Sequence, residues 1–531
     1  MGKIQSICSK SVWLIFLIII GVTCILNIFY RDSINYNLKL EIIMKPYTCG
    51  CLAAIVLVIT VGVCRCILKR ISYSSCDSID RDILMILILS VLIFIAQIYV
   101  FYRIYFITDW DVETLVGAAQ AINYKVKTGG YREWHNWDWF RHYFSTYQNN
   151  LALLFVYTKI IGLHDFLGIL EPENGYMLII IVDCFLADIT AILIFFLARR
   201  FTANRACPWI AYVAYFILVL SSPWLTIPYS DFFVPIFPIL IILCYDNIVH
   251  GKYIPISIVG LFIAFSIGTV IKAQILILGI AIFIVELIKF SKECFLNFVI
   301  IVCVLALSIL ASALYVQLIC NWAGSVGIEI NDEKAFGWQH FFLIGTNEET
   351  SGVWAGDDVA FSESFSNVEE RNQADLTTAF RRIEDMCAGK EDRLITHFLK
   401  KWLTTTADGT FGFARAGVFY AKESEAKDSY AVFFRNCLLS YGTYYHQITL
   451  IRQILWLAVW LANMLIVFSK NKRFDNTIIV LELAVIGIVC FELCFECSAR
   501  HMFSYISIII LLAVIGIESA AEGWLKKREF H

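Results

Sequence analysis

The sequence is poor in charge. Only 16% of its 531 residues are Asp, Glu, Lys or Arg, and 59% are hydrophobic, whereas soluble proteins carry about 25% charged residues. This composition excludes a soluble globular protein and predicts a polytopic membrane protein. The net charge is only -3, and no long basic block lies outside the short loops between apolar segments. Nucleic-acid binding is therefore excluded as well.

The sequence also lacks the cysteine spacing of a disulfide framework or a zinc site, although it has 18 cysteines. Many of them, such as Cys184 and Cys303, lie inside apolar runs, where a free thiol behaves as a small hydrophobe. Close pairs such as Cys494 and Cys497 have no second His or Cys pair at zinc-ligand spacing. No small-residue cleavage site follows the first apolar run, which is typical of an uncleaved signal anchor.

Long apolar segments recur along the chain, and each is close to the 17 to 25 residues, roughly, that a membrane span requires. They predict an all-α polytopic membrane protein with about 12 transmembrane helices, together with interfacial helices. The stretch 150–163 is short for a span and is predicted to be interfacial or re-entrant. The predicted spans lie near residues 11–30, 47–64, 83–107, 177–198, 208–222, 232–247, 254–270, 273–290, 295–319, 447–469, 476–493 and 500–520.

The basic loops orient these spans. With a cytoplasmic N-terminus, the loops around Arg65, Arg199 and Lys470 all fall inside, as the positive-inside rule requires. This topology predicts two extra N-terminal spans with a cytoplasmic linker (1–82), followed by a transmembrane module (83–319) whose first outer loop is 108–149. A mixed extracytoplasmic insertion (320–446) and the C-terminal spans (447–531) complete the chain.

Acidic residues mark the start of the first outer loop. Asp109, Asp111 and Glu113 follow the span 83–107, and carboxylates at a span end are costly unless they serve a function. Asp231, after Tyr229, stands in a similar position at the head of a later span. The alternative is that these acids only cap the helices that follow them.

Two cations accompany the acids on the predicted outer face. Lys272 lies in a tight hairpin and Arg500 in the last outer turn; alternatively, Lys272 snorkels to the interface and Arg500 pairs with Glu496. Together they predict a site in which cations bind a lipid phosphate while a carboxylate removes a proton from a hydroxyl. Weaker candidates for substrate binding are Glu113, Tyr229, His340, Asp358, Glu496 and Asn149.

Four motifs follow one another along the chain: Asp109-Trp110-Asp111, Pro228-Tyr229-Ser230-Asp231, Ile271-Lys272-Ala273-Gln274 and Glu496-Cys497-Ser498-Ala499-Arg500-His501. Their order and common side resemble bacterial membrane glycosyltransferases of the GT-C superfamily. The similarity is to the family-39-like group, akin to protein O-mannosyltransferases and aminoarabinose transferases. Tyr147-Gln148-Asn149-Asn150 resembles a Tyr-Pro-Asn-Asn element of that group, with Gln148 in place of Pro, and Lys272-Ala273 stands where Lys-Pro is usual.

The resemblance implies a GT-C fold and an extracytoplasmic transferase in the bacterial cell membrane. Such an enzyme moves a sugar, with inversion, from a polyprenyl-phosphate donor to a glycan, lipid or protein acceptor. It implies Asp111 or Asp109 as base, Asp231 as second acid, and Lys272 and Arg500 on the donor phosphate. A divalent metal on Asp109 and Asp111 stays open, and no other cofactor is implied. The absence of an Asn-x-Ser/Thr sequon agrees with a bacterial membrane.

The alternative function is a transporter or flippase of lipid-linked or anionic substrates, in which the same charges would line a pathway. Transporters commonly have internal repeats and polar groups near the bilayer midplane. The sequence shows no such repeat, and the acids and cations named above lie at span ends. The transferase is therefore favoured over the transporter.

Overall fold

The computed structural model describes residues 3–30, 45–70, 77–108, 110–130, 136–167, 175–291, 295–389, 392–413, 420–422, 426–469 and 475–526. These residues are almost wholly helical, which confirms the prediction of an all-α polytopic membrane protein. By length and composition, ten helices can cross a membrane. They are Ile4–Phe29, Pro46–Ile67, Arg81–Ile104, Gly175–Phe201, Ser230–Val249, Ile254–Ile271, Phe295–Ser325, Tyr445–Phe468, Asn476–Cys494 and Ala499–Gly523.

The α-helices are numbered here in chain order. The first half of the chain contains α1 (Lys3–Phe29), α2 (Pro46–Arg70), α3 (Asp77–Ile104), α4 (Asp111–Thr128), α5 (Trp137–Thr146), α6 (Leu151–Leu167), α7 (Gly175–Phe201), α8 (Ala206–Tyr215), α9 (Ser230–Phe233), α10 (Ile236–Val249), α11 (Ile254–Ile271) and α12 (Leu276–Lys289). The second half contains α13 (Phe295–Ser325), α14 (Trp338–Gly345), α15 (Gly356–Glu363), α16 (Val368–Ala388), α17 (Arg393–Thr406), α18 (Ser429–Leu438), α19 (Tyr445–Met464), α20 (Asn476–Cys494) and α21 (Ile506–Lys526). One short antiparallel ribbon pairs β1 (Ile107–Thr108) with β2 (Tyr420–Lys422).

Two of the predicted spans are shorter helices. The stretch 208–222 forms Ala206–Leu220, whose last turn, Phe216–Leu220, is a π-helix. The stretch 273–290 forms a 3-10 turn, Ala273–Ile275, followed by α12. At 1.5 Å per residue, a helix of this length reaches roughly 20–25 Å, which is less than the thickness of the hydrocarbon core. The prediction from the sequence included these turns in the spans because they belong to the same apolar stretches.

The last span forms the centre of the bundle. Its most apolar 18-residue stretch is fully buried within the protein, whereas only 17% of the corresponding stretch is buried in α2 and in α3. A helix that is apolar on every side is stable inside a bundle, as the last span is. Because α2 and α3 are apolar but mostly not buried within the protein, they present apolar faces to lipid. The two N-terminal helices are not detached, because α1 packs on α19 and α20, and α2 packs on α19 and α21.

Polar contacts distinguish the two ends of this bundle. At one end, Arg205 pairs with Asp82 at 2.6 Å, and Arg200 pairs with buried Asp246 at 2.5 Å. These arginines belong to the basic loops that the sequence predicts to be cytoplasmic, and this end is called the basic end below. The first outer loop and the insertion meet at the opposite end, called the insertion end.

The insertion is fastened to the spans by α17. The indole Nε1 of Trp402 donates to Thr23 Oγ1 at 2.9 Å, and the Asn27 side chain donates to the backbone oxygen of Thr406 at 3.1 Å. Thr23 and Asn27 lie in the last two turns of α1. The insertion is therefore in direct contact with the membrane-spanning bundle.

The short apolar stretch predicted at 150–163 is one continuous helix, α6. It packs along α4, where the Asn123 side chain donates to the backbone oxygen of Thr158 at 2.9 Å. With 17 residues it is shorter than the ten long helices. The packing of α6 on α4 therefore stabilises the helix that begins at Asp111, near the start of the first outer loop.

Candidate functional site at the insertion end

A buried carboxylate lies between two cations at the insertion end. Asp231 is in the first turn of α9 and is fully buried. The Lys272 ammonium donates to its Oδ1, and Arg500 Nε lies 3.6 Å from its Oδ2. The structure thus brings together three candidate residues that are far apart in the sequence.

Local backbone geometry places the two cations. Lys272 follows α11 in an extended conformation, and its N–H donates to the Gly268 oxygen at 2.9 Å. A Cβ on Gly268 would lie only 3.1 Å from the Phe237 side chain, so glycine permits the close approach of α11 to α10 at this point. Arg500 lies in the 3-10 turn Ala499–Tyr505, which leads into α21.

The second carboxylate, Asp111, is the first residue of α4 and is partly exposed. The hydroxyl of Tyr229 donates to its Oδ2 at 2.8 Å. The Tyr143 side chain lies next to Asp111, whose charge adds to burial in raising the pKa of Tyr143, and its hydroxyl accepts a hydrogen bond from the Asn150 side chain at 2.7 Å. Two tyrosines therefore flank a carboxylate that remains partly exposed.

Arg500 joins the two acidic groups into one cluster. Its guanidinium carbon lies 4.7 Å from the centroid of the Trp110 ring and 5.1 Å from that of Tyr229. The two rings are themselves 4.9 Å apart, and these distances are within the range of cation–π contacts. The cation paired with Asp231 thus packs on the residues that flank and bind Asp111.

A third carboxylate, Glu492, supports the same turn from the end of α20. It accepts hydrogen bonds from the Gln274 side chain at 2.8 Å and from the Ser498 N–H at 3.1 Å. His501 Nδ1 lies 3.1 Å from each of its two oxygens. Glu492 thereby holds both the segment after Lys272 and the residue after Arg500 in place.

Electrostatics favour hydroxyl donors around Asp111. Desolvation raises the pKa of Tyr229 well above its ordinary value, and the Asp111 carboxylate raises it further. The pKa of Tyr147 is raised by the same two causes. Desolvation also raises the pKa of the Glu496 carboxyl, which His501 and Arg500 lower and Asp111 raises. The tyrosines therefore remain protonated, and Glu496 belongs to the same cluster of charges.

The insertion covers the turn that carries Arg500. The N–H of Glu496 donates to the Phe341 oxygen at 2.8 Å. Buried Lys401 donates to the backbone oxygens of Gly345 and Phe495, each at 2.7 Å. Burial lowers the pKa of Lys401. The geometry of the last outer turn thus depends on the fold of the insertion.

Two candidates lie in internal networks of the insertion. His340 Nδ1 lies 2.8 Å from the hydroxyl of Ser362, which donates to Asp375 at 2.8 Å; burial lowers the pKa of His340 to about 4. Buried Asp358 pairs with the partly exposed Arg382 at 2.6 Å. The contacts of His340 and Asp358 are with the insertion's own residues, so both are placed as structural groups rather than beside Asp111.

Three further candidates differ in placement. Glu113 is exposed in the first turn of α4, two residues beyond Asp111 and therefore about 200° around the helix from it. Asn149 is exposed, and the next residue, Asn150, is the buried one that reaches Tyr143. Asp109 lies outside the described residues.

Several site residues have only weak signals in the sequence. Trp110 stands between Asp109 and Asp111, and His501 directly follows Arg500. The only feature in the sequence that pointed to Trp110 and His501 was their position next to a candidate residue. Glu492, at the end of an apolar run, is an ionisable residue in a span. Tyr143 had no comparable signal, because its contact with Asp111 depends on how α5 packs.

No group of three or more His, Cys, Asp or Glu side chains is placed to hold a metal ion among the residues that the structure describes. Of the two acids that the resemblance offers to a divalent metal, only Asp111 lies in the described part of the chain, and its Oδ2 accepts a hydrogen bond from Tyr229. The described donors therefore do not form a metal site.

A family model with the description "Conserved hypothetical integral membrane protein" matches residues 4–521. No curated protein and no solved structure matches the chain.

Proposed function

This chain belongs to the family described as conserved hypothetical integral membrane proteins, and we propose that it is a membrane glycosyltransferase. In this proposal it moves a sugar from a polyprenyl-phosphate donor to an acceptor on the extracytoplasmic face of a bacterial cell membrane. One observation carries the proposal: Arg500 contacts both Asp231 and the rings of Trp110 and Tyr229 beside Asp111. A cation site and a partly exposed carboxylate therefore adjoin one another.

The donor phosphate would bind at Lys272 and Arg500. These two cations share one buried acid, Asp231, so the pair retains positive charge for a phosphate. Negative charge grows on the phosphate as the bond between the sugar carbon and the phosphate oxygen breaks. Cations fixed in advance stabilise that charge without reorganisation. Asp231 serves here to hold the cations in position.

Asp111 would act as the base. The acceptor hydroxyl oxygen bonds to the anomeric carbon of the sugar, and its proton passes to Asp111 while polyprenyl phosphate departs. Attack from the face opposite the phosphate inverts the anomeric centre. Tyr229 hydrogen-bonds the carboxylate and Tyr143 lies next to it, which suits a base that must meet the substrate at a set angle.

Turnover of the donor tests this function directly. The purified protein in lipid nanodiscs is incubated with a heat-treated cell-envelope extract as the source of acceptor, and with polyprenyl-phosphate mannose or polyprenyl-phosphate glucose radiolabelled in the sugar. We expect loss of label from the lipid fraction with at least one donor, and a fall of about 100-fold or more in Asp111→Asn. The matched control is Glu113→Gln, a carboxylate on the other side of the same helical turn, which retains wild-type turnover.

Binding of unlabelled polyprenyl phosphate gives a second measurement that does not depend on the sugar. Arg500→Gln weakens this binding, whereas Asp111→Asn leaves it intact. Turnover that persists in Asp111→Asn, or binding that is unchanged in Arg500→Gln, contradicts the assigned roles.

One observation favours transport as the second candidate function. Asp183 and Asp188 in α7 and Glu482 in α20 are buried in spans, and none of their carboxylate oxygens has a hydrogen-bond partner in the described part of the chain. Such groups often lie on ion or proton pathways. Movement of labelled polyprenyl-phosphate mannose or polyprenyl-phosphate glucose across a vesicle membrane without loss of the sugar, abolished by Asp183→Asn, would favour a flippase over the transferase.

A further inference from the structure

A row of aromatic rings leads away from Asp111 at the insertion end. The ring of Tyr143, which lies next to Asp111, is 5.2 Å from the ring of Tyr147 and 6.1 Å from that of Trp139. The Tyr147 side chain also lies beside Trp354 of the insertion. These four residues, Trp139, Tyr143, Tyr147 and Trp354, are called the aromatic cleft.

The outer rings of the cleft are open to solvent. Trp139 is 46% exposed and Trp354 is 57% exposed. Burial of a tryptophan is strongly favourable, so two large exposed rings beside a functional cluster indicate a surface that a ligand covers. One ring comes from the first outer loop and the other from the insertion, so the cleft lies between the two.

Polar groups surround the rings. His142 Nε2 lies 3.1 Å from Glu363 Oε1, and both side chains are partly exposed. The Trp139 indole N–H donates to Thr114 at 3.1 Å. These groups offer hydrogen-bond donors and acceptors next to flat apolar faces. An acyl chain cannot form hydrogen bonds with these groups. A sugar can, because it has an apolar C–H face that packs on an aromatic ring and hydroxyls that bond to the surrounding polar groups.

We propose that the aromatic cleft binds a carbohydrate chain. Within the proposed function, on which this role rests, that chain is the acceptor, and the cleft delivers its terminal hydroxyl to Asp111. Trp354 and Trp139 would stack on sugar rings, and the pair His142–Glu363 would bind their hydroxyls. The acceptor class is thereby narrowed from glycan, lipid or protein to glycan.

Binding of soluble oligosaccharides tests the cleft without any donor. Maltohexaose, cellohexaose and chitohexaose are titrated against the full-length protein in nanodiscs by isothermal calorimetry. We expect binding of at least one hexasaccharide and a loss of about tenfold or more in affinity in Trp354→Ala and in Trp139→Ala. The matched control is Trp338→Ala, since this indole of the insertion is 56% exposed and packs on Phe342 outside the cleft.

The outcome is separable from that of the transferase. Asp111→Asn retains oligosaccharide binding although it loses donor turnover. Binding without any donor turnover in the wild type supports the cleft and contradicts the transferase, and donor turnover without oligosaccharide binding does the reverse.

Two results overturn the carbohydrate assignment. The first is an absence of binding for all three hexasaccharides at millimolar concentration, or equal affinity in Trp354→Ala, Trp139→Ala and wild type. The second comes from lipids that carry a spin label in the acyl chain. If a cysteine-linked fluorophore at position 354 is quenched by them as strongly as one in α3, the cleft faces the bilayer and its occupant is lipid.

Discussion

At the scale of single residues, the site is a small set of charges whose burial makes each one depend on its partner. Asp231 has no exposed surface, and its two cations neutralise it. In a low-dielectric environment, removing one member of such a group leaves a charge without compensation. Arg500 is less dependent on Asp231 than Lys272 is, because its guanidinium also packs on two aromatic rings.

Replacing Asp231 by Asn should therefore destabilise the protein. We expect a loss of about 3–5 kcal/mol in the free energy of unfolding, since Lys272 loses its carboxylate inside the protein. Thermal unfolding in nanodiscs measures the change. The double variant Asp231→Asn with Lys272→Gln should recover a large part of the loss, and a double variant as unstable as the single one would contradict a pairing of these two residues.

His340 makes the stability of the insertion depend on pH. Its pKa is lowered by burial from 6.5 to about 4, so the folded protein resists protonation that the unfolded chain accepts. Above pH 6.5, neither the folded nor the unfolded protein protonates His340, so the free energy of unfolding has its full value. As the pH falls towards 4, only the unfolded chain binds this proton, and the free energy of unfolding falls by about 3 kcal/mol at most.

Pulse proteolysis of the insertion at pH 7 and pH 5 checks this dependence. The wild type should become more susceptible at pH 5, and His340→Gln should lose part of the difference, because burial also lowers the pKa of His397 in the same insertion. His142→Gln removes a partly exposed imidazole and serves as the control that keeps the wild-type difference. An equal pH response in all three proteins would exclude His340 as its source.

At the scale of elements, the insertion and the last outer turn stabilise one another. Lys401 of α17 is fully buried and donates to a carbonyl of the insertion and to one of the turn before Arg500. The same helix is bound to α1 through Trp402. The helix α17 therefore links three parts of the molecule that are distant in sequence.

Lys401→Met should loosen that turn. Methionine fills a similar volume but leaves the Phe495 oxygen without its donor, at a cost of about 1–3 kcal/mol, whereas the Gly345 oxygen keeps its contact with His397 Nε2 at 3.0 Å. We expect faster amide exchange in the peptide 494–498, whose N–H groups at Glu496 and Cys497 bind the insertion. Lys400→Met, one residue away and partly exposed, should exchange like wild type. Unchanged exchange in Lys401→Met would show that the turn does not depend on this contact.

Hydropathy could predict the positions of the helices because membrane burial selects apolar residues over a fixed length. It could not separate a span from a shorter helix such as Ala206–Leu220, because both satisfy the same apolar pattern. In the site, the acids and cations were predictable as costly charges at span ends. The tyrosines that flank Asp111 were not, since Tyr229 and Tyr143 are common residue types at a membrane interface and only packing selects them.

At the scale of the whole molecule, basic loops gather at one end and the acid–cation cluster lies at the other. The positive-inside rule then predicts that the cluster lies on the outer side of the membrane. This assignment has a simple chemical test, because Cys387 of the insertion is exposed and Lys252 is exposed in the loop that follows α10 at the basic end.

In intact cells, a membrane-impermeant maleimide should label Cys387, and Cys387→Ser should reduce the total label. Lys252→Cys should add no label until the membrane is permeabilised. Labelling of Lys252→Cys in intact cells, together with protection of Cys387, would place the cluster on the cytoplasmic side and contradict the proposed topology.

The most direct test of the central claim is a structure of the full-length protein with polyprenyl phosphate bound. The account predicts that the phosphate lies within about 4 Å of the Lys272 and Arg500 side chains and that its lipid tail extends among the spans. A phosphate bound among the arginines of the basic end, with Lys272 and Arg500 left on Asp231 alone, would contradict it.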